Sequence, residues 1–137
     1  MVIGIDFDGT CVSNNFPEIG KDIGAVPVLK ELVDKGHELV LFTLRSNVLN
    51  DNNAFLPQGN YLDDAVNWFK NKGIDLYGIQ RNPTQDDWTS SPKADCQLFI
   101  DDAALGCPLI TNYDISNLPF VDWNEVKRYL RERYDCL

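Results

Sequence analysis

Short apolar runs alternate along the chain with stretches in which apolar residues recur every three or four positions. Val2, Ile3 and Ile5 form a run that stops at Asp6 and a glycine-containing turn, the pattern of a buried first strand. Residues 11–24 are rich in Asn, Pro and Gly and predict a loop or small flap. Val26, Leu29 and Val33, with Val28 and Leu32 beside them, mark one face of a helix that Gly36 ends. Residues 38–43 hold Leu39, Val40, Leu41 and Phe42 and predict a second buried strand with Thr43 at its C-terminal end. A polar connection with Asn50, Asp51, Asn52 and Asn53 leads to a second helical face, Leu62, Ala65, Val66 and Phe69. Lys70, Lys72 and Gly73 close that helix.

Beyond it, residues 76–79 supply a third strand, made less regular by Gly78. Residues 83–91 read as a polar loop, and 97–100 as a strand running directly into Asp101 and Asp102. Residues 108–110 suit a small edge strand, where a leading proline is tolerated. Trp123, Val126, Tyr129 and Leu130 then space out a final amphipathic helix over 122–133. Strands alternating with helices at these lengths predict an α/β fold: a three-layer, Rossmann-like domain around a central parallel sheet.

A length of 137 residues bounds the chain to one domain, 1–137, with one core. Twelve basic residues against twenty-one acidic ones leave a net charge of −9, which works against a broad nucleic-acid surface. The opening apolar run is interrupted by Asp6 and Asp8 before a signal-peptide core forms, and no stretch has the length of a membrane span. Cys11, Cys96, Cys107 and Cys136 have neither CxxC spacing nor disulfide-scaffold density, so reduced thiols and a cytoplasmic location are expected.

The strongest local clue to chemistry is Asp6-Phe7-Asp8-Gly9-Thr10. Carboxylates two positions apart where a strand bends into a loop can surround a cation, and Gly9 permits the turn beyond them; ordinary turns use the same residues. Thr43 could offer a hydroxyl and a backbone N–H to an anion, or simply cap the following segment. Asp101 and Asp102 could hold a metal or favour a helix dipole. Lys93 in isolation reads as a surface lysine. Arg45 and Arg81 each follow a predicted strand and could contact substrate or hold a surface carboxylate. Asn47 carries little signal, and His37 sits away from the strand ends that matter. Phe16, Phe55 and Trp88 suit loop packing or the shaping of an entrance.

In this order, the DxDGT opening, Thr43, Lys93 and the Asp101-Asp102 pair, the chain resembles the haloacid dehalogenase-like (HAD-like) phosphatase superfamily over nearly its whole length. The resemblance implies that Asp6 attacks phosphorus and Asp8 acts as acid and base. It also implies that Thr43 binds a phosphoryl oxygen and Lys93 stabilises nucleophile and phosphate. Asp6, Asp101, Asp102 and the Asp8 backbone carbonyl would hold Mg2+, with Asp102 acting directly or through an ordered water. Arg45 is added as a candidate substrate contact. The need for a cation has a physical basis: a phosphate monoester and an attacking carboxylate are both anions, and their approach requires positive charge and donors nearby.

Many members of that superfamily carry a separate cap. Here the short interval between Thr10 and Thr43 must also hold a helix and a strand, so a capless domain with a flap within 11–24 is expected. An open entrance suits a small phosphorylated substrate, including a sugar or nucleotide phosphate, and permits a protein partner or oligomer that closes it. Phosphoryl transfer of the mutase type, a receiver-like module and a noncatalytic metal- or phosphate-binding module are the alternatives to phosphate-monoester hydrolysis.

Overall fold

A computed structural model of the chain describes residues 1–49 and 55–137. In order the elements are β1 (Val2–Ile5), α1 (Ala25–Asp34), β2 (Glu38–Leu41), β3 (Asn47–Val48), β4 (Gly59–Asn60) and α2 (Tyr61–Asn71). They continue with β5 (Gly78–Ile79), β6 (Leu98–Ile100), β7 (Leu109–Ile110), β8 (Phe120–Val121) and α3 (Trp123–Glu132). The polar connection expected at Asn50, Asp51, Asn52 and Asn53 lies outside the described residues.

The continuous apolar runs become a parallel sheet in the order β5-β2-β1-β6. Ile3, Ile5, Leu39, Val40 and Leu41 are fully buried, as continuous apolar runs in the inner strands of a parallel sheet are expected to be. The register pairs Ile5 with both Leu41 and Ile100, and Leu41 with Ile79. Because these strands run in one direction, the residues that follow them emerge on one edge: Asp6, Phe42-Thr43, Gln80 and Asp101. The ladder continues a step past the strands, with the Asp6 N–H donating to Ile100 C=O at 3.0 Å and the Phe42 N–H to Ile5 C=O at 2.8 Å. The position of Asp6 is thereby fixed by backbone bonds at the edge of the sheet.

Each helix buries the face its spacing predicts. Val28, Leu29 and Leu32 of α1, Ala65 and Phe69 of α2, and Trp123, Val126 and Leu130 of α3 join the strands in one hydrophobic cluster. Asp122 caps α3, accepting from the N–H groups of Asn124 and Glu125 at 3.1 and 3.2 Å. Gly36, at φ +87°, provides the left-handed turn that ends α1.

The sheet departs from expectation at its margins. The strand expected over 76–79 contracts to Gly78–Ile79. Leu109–Ile110 does not extend the central sheet; it pairs antiparallel with Phe120–Val121 in a separate ribbon. A second antiparallel ribbon, Asn47–Val48 with Gly59–Asn60, lies where no strand was expected. Within 83–91 the chain makes one 3-10 turn, Gln85–Asp87. The described residues thus form an α/β fold with a parallel sheet, two small antiparallel ribbons and three helices. No helix among them is long and apolar enough to cross a membrane.

Residues 11–24 are anchored at their root and open at their tip. Cys11, Val12 and Ser13 are buried, and Val12 bridges to Asp8 and Asp22. Ser13 and Lys21 exchange bonds, through the Ser13 N–H at 2.9 Å and the Ser13 Oγ at 2.8 Å. Residues 14–19 are exposed.

Candidate metal and phosphate site

At the strand-end edge, Asp6, Asp101 and Asp102 each present a carboxylate oxygen within 4.8 Å of the others. Asp6 arrives from β1 and the pair from β6, its direct neighbour in the sheet. Thr10 ties them together: its hydroxyl donates to Asp6 Oδ2 at 2.8 Å, and its oxygen accepts the Asp102 N–H at 3.1 Å. The indole N–H of Trp123 holds the Thr10 carbonyl at 2.7 Å, so α3 braces the loop from beneath. Gly9 sits at φ +79°, and a Cβ there would fall 2.6 Å from Asp102 Oδ2, so the turn has no room for a side chain.

Negative charge is concentrated here without a counterpart. Among the described residues, no Lys or Arg makes an ion pair with Asp6, Asp101 or Asp102. Burial, then the adjacent Asp102 carboxyl, and more weakly the Asp101 charge, push the Asp6 carboxyl up to about 7, against the opposing pull of Thr10. The donors are hard carboxylate oxygens, one group strains to stay ionised, and positive charge is missing. That combination fits a divalent cation of the Mg2+ class.

Asp8 takes no part in this cluster through its side chain. Both of its oxygens accept from Arg45, Oδ2 from Nε and Oδ1 from Nη2, each at 2.8 Å. Arg45 is itself buried, and its remaining donors go to backbone carbonyls: Pro17 at 3.2 Å, Glu18 at 2.9 Å and Tyr61 at 3.3 Å. All five N–H groups of the guanidinium are used. The plane also lies against the rings of Phe7 and Phe16, at 5.1 and 5.0 Å. Arg45, the candidate substrate contact, thus has its guanidinium donors engaged inside the chain, where they join the opening loop, the flap and the start of α2.

Thr43 stands beside the cluster and lines the same cleft. Its backbone N–H, expected to be free for an anion, instead donates to Gln80 Oε1 at 2.9 Å, while Gln80 Nε2 donates to the Thr43 carbonyl at 2.6 Å. The Thr43 hydroxyl accepts the Arg45 N–H at 3.1 Å and keeps its own proton for a ligand. Lys93 is exposed and does not line the cleft, although Pro92 does. Its loop is set by Gln85, which is fully buried, accepts the Asn82 and Asp95 N–H groups, and donates to the Lys93 carbonyl at 2.9 Å.

The other candidates fall outside the cluster. Arg81 pairs with the Asp86 carboxylate and donates to the Ser91 carbonyl. Asn47 exchanges bonds with Asp63 at the start of α2. His37 reaches the Cys136 carbonyl at the opposite end of β2. Phe16 lines the cleft, whereas Phe55 and Trp88 stand in solvent. All four cysteines are free thiols. Burial pushes the Cys11 thiol well up, so it is no thiolate nucleophile despite its place beside the loop.

No protein-family model matches the chain, and no curated protein does either. A solved structure described as that of a conserved protein coded by a locus from Bacteroides thetaiotaomicron does match. It is 29% identical with a TM-score of 0.72, over 97% of this chain and 91% of that one. The two proteins share their architecture, and the description of the relative states no activity. The chain is thus a small α/β module with a parallel sheet and an Asp-rich cluster suited to a metal ion.

Proposed function

We propose that this edge of the sheet binds Mg2+ together with the phosphate of a small monoester, and that Asp6 takes up the phosphoryl group in hydrolysis. The supporting observation is the meeting of three carboxylates that lack a cationic partner, at the end of a cleft that also contains Thr43 and Asp8. With the ordered resemblance of the sequence, this reading makes residues 1–137 a single, capless, HAD-like phosphatase domain. A cytoplasmic setting belongs to the same reading, since all four thiols are free.

Asp6, Asp101 and Asp102 would hold the cation, which favours the ionised form of Asp6 and offsets its repulsion from phosphate. An Asp6 oxygen then forms a bond to phosphorus as the ester P–O bond breaks, and Asp8 gives its proton to the departing alkoxide. Asp8 next takes a proton from water, whose oxygen attacks phosphorus, releasing phosphate and restoring Asp6. Thr43 directs its hydroxyl proton to a phosphoryl oxygen, and Lys93 supplies charge if its flexible side chain swings over Pro92. Both Asp8 oxygens accept from Arg45, so the acid–base role requires that fork to loosen and turn one oxygen toward the substrate.

That same fork favours a second reading. With both oxygens of Asp8 engaged, the site is arranged to bind metal and phosphate without an acid in place, as a noncatalytic or receiver-like module would. Phosphate release from a panel of monoesters, with and without Mg2+, separates the two. Release that requires Mg2+ and disappears in Asp6→Asn supports hydrolysis; release that survives chelation or the substitution overturns it. Calorimetric binding of Mg2+ and phosphate without release from any ester selects the binding module.

A further inference from the structure

We infer that the body of the ester bound in this cleft is uncharged and largely apolar, a ring or hydrocarbon alcohol carrying one phosphate and no second anionic group. The inference rests on the phosphate site proposed above and specifies what lies beyond the phosphate. The cleft has a volume of about 860 Å³, more than a phosphate alone fills. Past the carboxylates its wall is formed by Phe16, Phe42, Leu44, Leu56 and Pro92. Leu44 stands wholly in solvent there, and Phe42 is braced from behind by Phe99, with ring centroids 5.8 Å apart. Solvent-exposed apolar side chains gathered around one opening are a surface that gains by being covered.

Charge narrows the choice further. Among the described residues, the ionisable side chains lining the cleft are Asp6, Asp8, Asp101, Asp102 and Arg45, and every guanidinium donor of Arg45 is already committed. With Mg2+ and Lys93 engaged by the first phosphate, a second phosphate or a carboxylate on the ligand would meet no free cation among the described lining residues, only Asp6, Asp8, Asp101 and Asp102. A polyol fares little better. The Gln80 amide is engaged with the Thr43 backbone and the Thr43 hydroxyl with the phosphate, which leaves mainly Asn14 to replace the water a sugar would lose.

Phosphonates test this independently of turnover, because their P–C bond is not hydrolysed at such a site. With Mg2+ present, calorimetry should show 2-phenylethylphosphonate binding about tenfold more tightly than 2,3-dihydroxypropylphosphonate, and 2-carboxyethylphosphonate binding more weakly than either. Leu44→Asn, at a fully exposed position, should reduce the phenyl preference by about threefold. Equal affinities, or a preference for the diol or the carboxylate, would overturn the inference while leaving the phosphate site intact. Failure of all three to bind would remove both. The phenyl preference without cleavage of 2-phenylethyl phosphate would uphold the inference and retire only the hydrolytic step.

Discussion

Asp6 and Asp8 are separated by one residue, yet their surroundings are opposite. Asp6 is largely buried and faces two further carboxylates, which raise its proton affinity in that order of weight against the opposing pull of Thr10. Asp8 lies in the fork of a buried guanidinium that is itself fully satisfied by the flap and α2. The first region is charge-unbalanced and suited to a cation from outside; the second is closed on itself and holds three segments together. Function is expected to fail first where the balance is missing, and folding first where it is complete.

Asp6→Asn gives the sharpest break between the two. It should lower Mg2+-dependent phosphate release by about 1000-fold or more, the scale of removing a covalent nucleophile, while leaving the fold intact. Rapid-quench mass measurement should find no phosphorylated protein. Modification persisting at another residue would move the nucleophile elsewhere.

Arg45→Ala should do the reverse. Removing one partner of a buried, hydrogen-bonded pair strands the other, at a cost of about 3–5 kcal/mol in urea unfolding. Arg45→Lys should recover less than half of that, since an ammonium cannot reproduce a planar fork with three further carbonyl contacts. A loss below about 1 kcal/mol for Arg45→Ala would make the clasp incidental.

The charge-unbalanced region also makes stability depend on pH. Asp6 has an ordinary value of 3.8 and is raised to about 7 in the fold, so the folded state binds its proton more tightly than the unfolded one. Its stabilising contribution is complete below about pH 4 and is lost as pH rises toward 7. Glu31 and Glu125 are lowered, by hydrogen bonds to Lys127 and Arg128 respectively, and act with the opposite sign below their ordinary 4.5. Between about pH 5 and 7 the metal-free protein should therefore lose on the order of 2 kcal/mol. Added Mg2+ should restore it, and Asp6→Asn should flatten the slope. Stability that rises through this window would show that burial beside Asp102 does not raise the Asp6 carboxyl.

The alternation of runs made the central sheet legible, and parallel register did the rest by bringing Asp6, Thr43 and Asp101 to one edge. Apolar runs ending in Asp or Thr are visible in sequence because burial and chemistry change at the same residue. The Arg45 clasp was not visible in that way. Three of its partners are backbone carbonyls, of Pro17, Glu18 and Tyr61, and a carbonyl leaves no mark in the residue type. The same holds for Gln80 and Gln85, whose amides bind the main chain of Thr43 and of Lys93. Two-residue ribbons such as Asn47–Val48 with Gly59–Asn60 are too short for periodicity to register. Gln85 left no signal either: a glutamine in a polar loop gives no reason for burial, and the groups it binds at Asn82, Lys93 and Asp95 are main-chain.

Gln80 offers the smallest effect and the finest discrimination. It occupies φ +64°, a left-handed conformation unusual for a side chain of its kind, and uses that turn to place its amide across the Thr43 backbone. Gln80→Ala removes both bonds and keeps the strained backbone, for a loss of about 1 kcal/mol. Gln80→Gly removes the same bonds but relaxes the turn, so it should be about 1 kcal/mol more stable than Gln80→Ala. Phosphate affinity, measured on both variants with Mg2+ present, then distinguishes two sources of anion binding at Thr43. If the hydroxyl is the donor, affinity changes little, because Oγ1 is still set by the Arg45 N–H. If affinity instead rises in both variants, the released Thr43 N–H is binding phosphate, and Gln80 normally holds that donor out of the charge-unbalanced region.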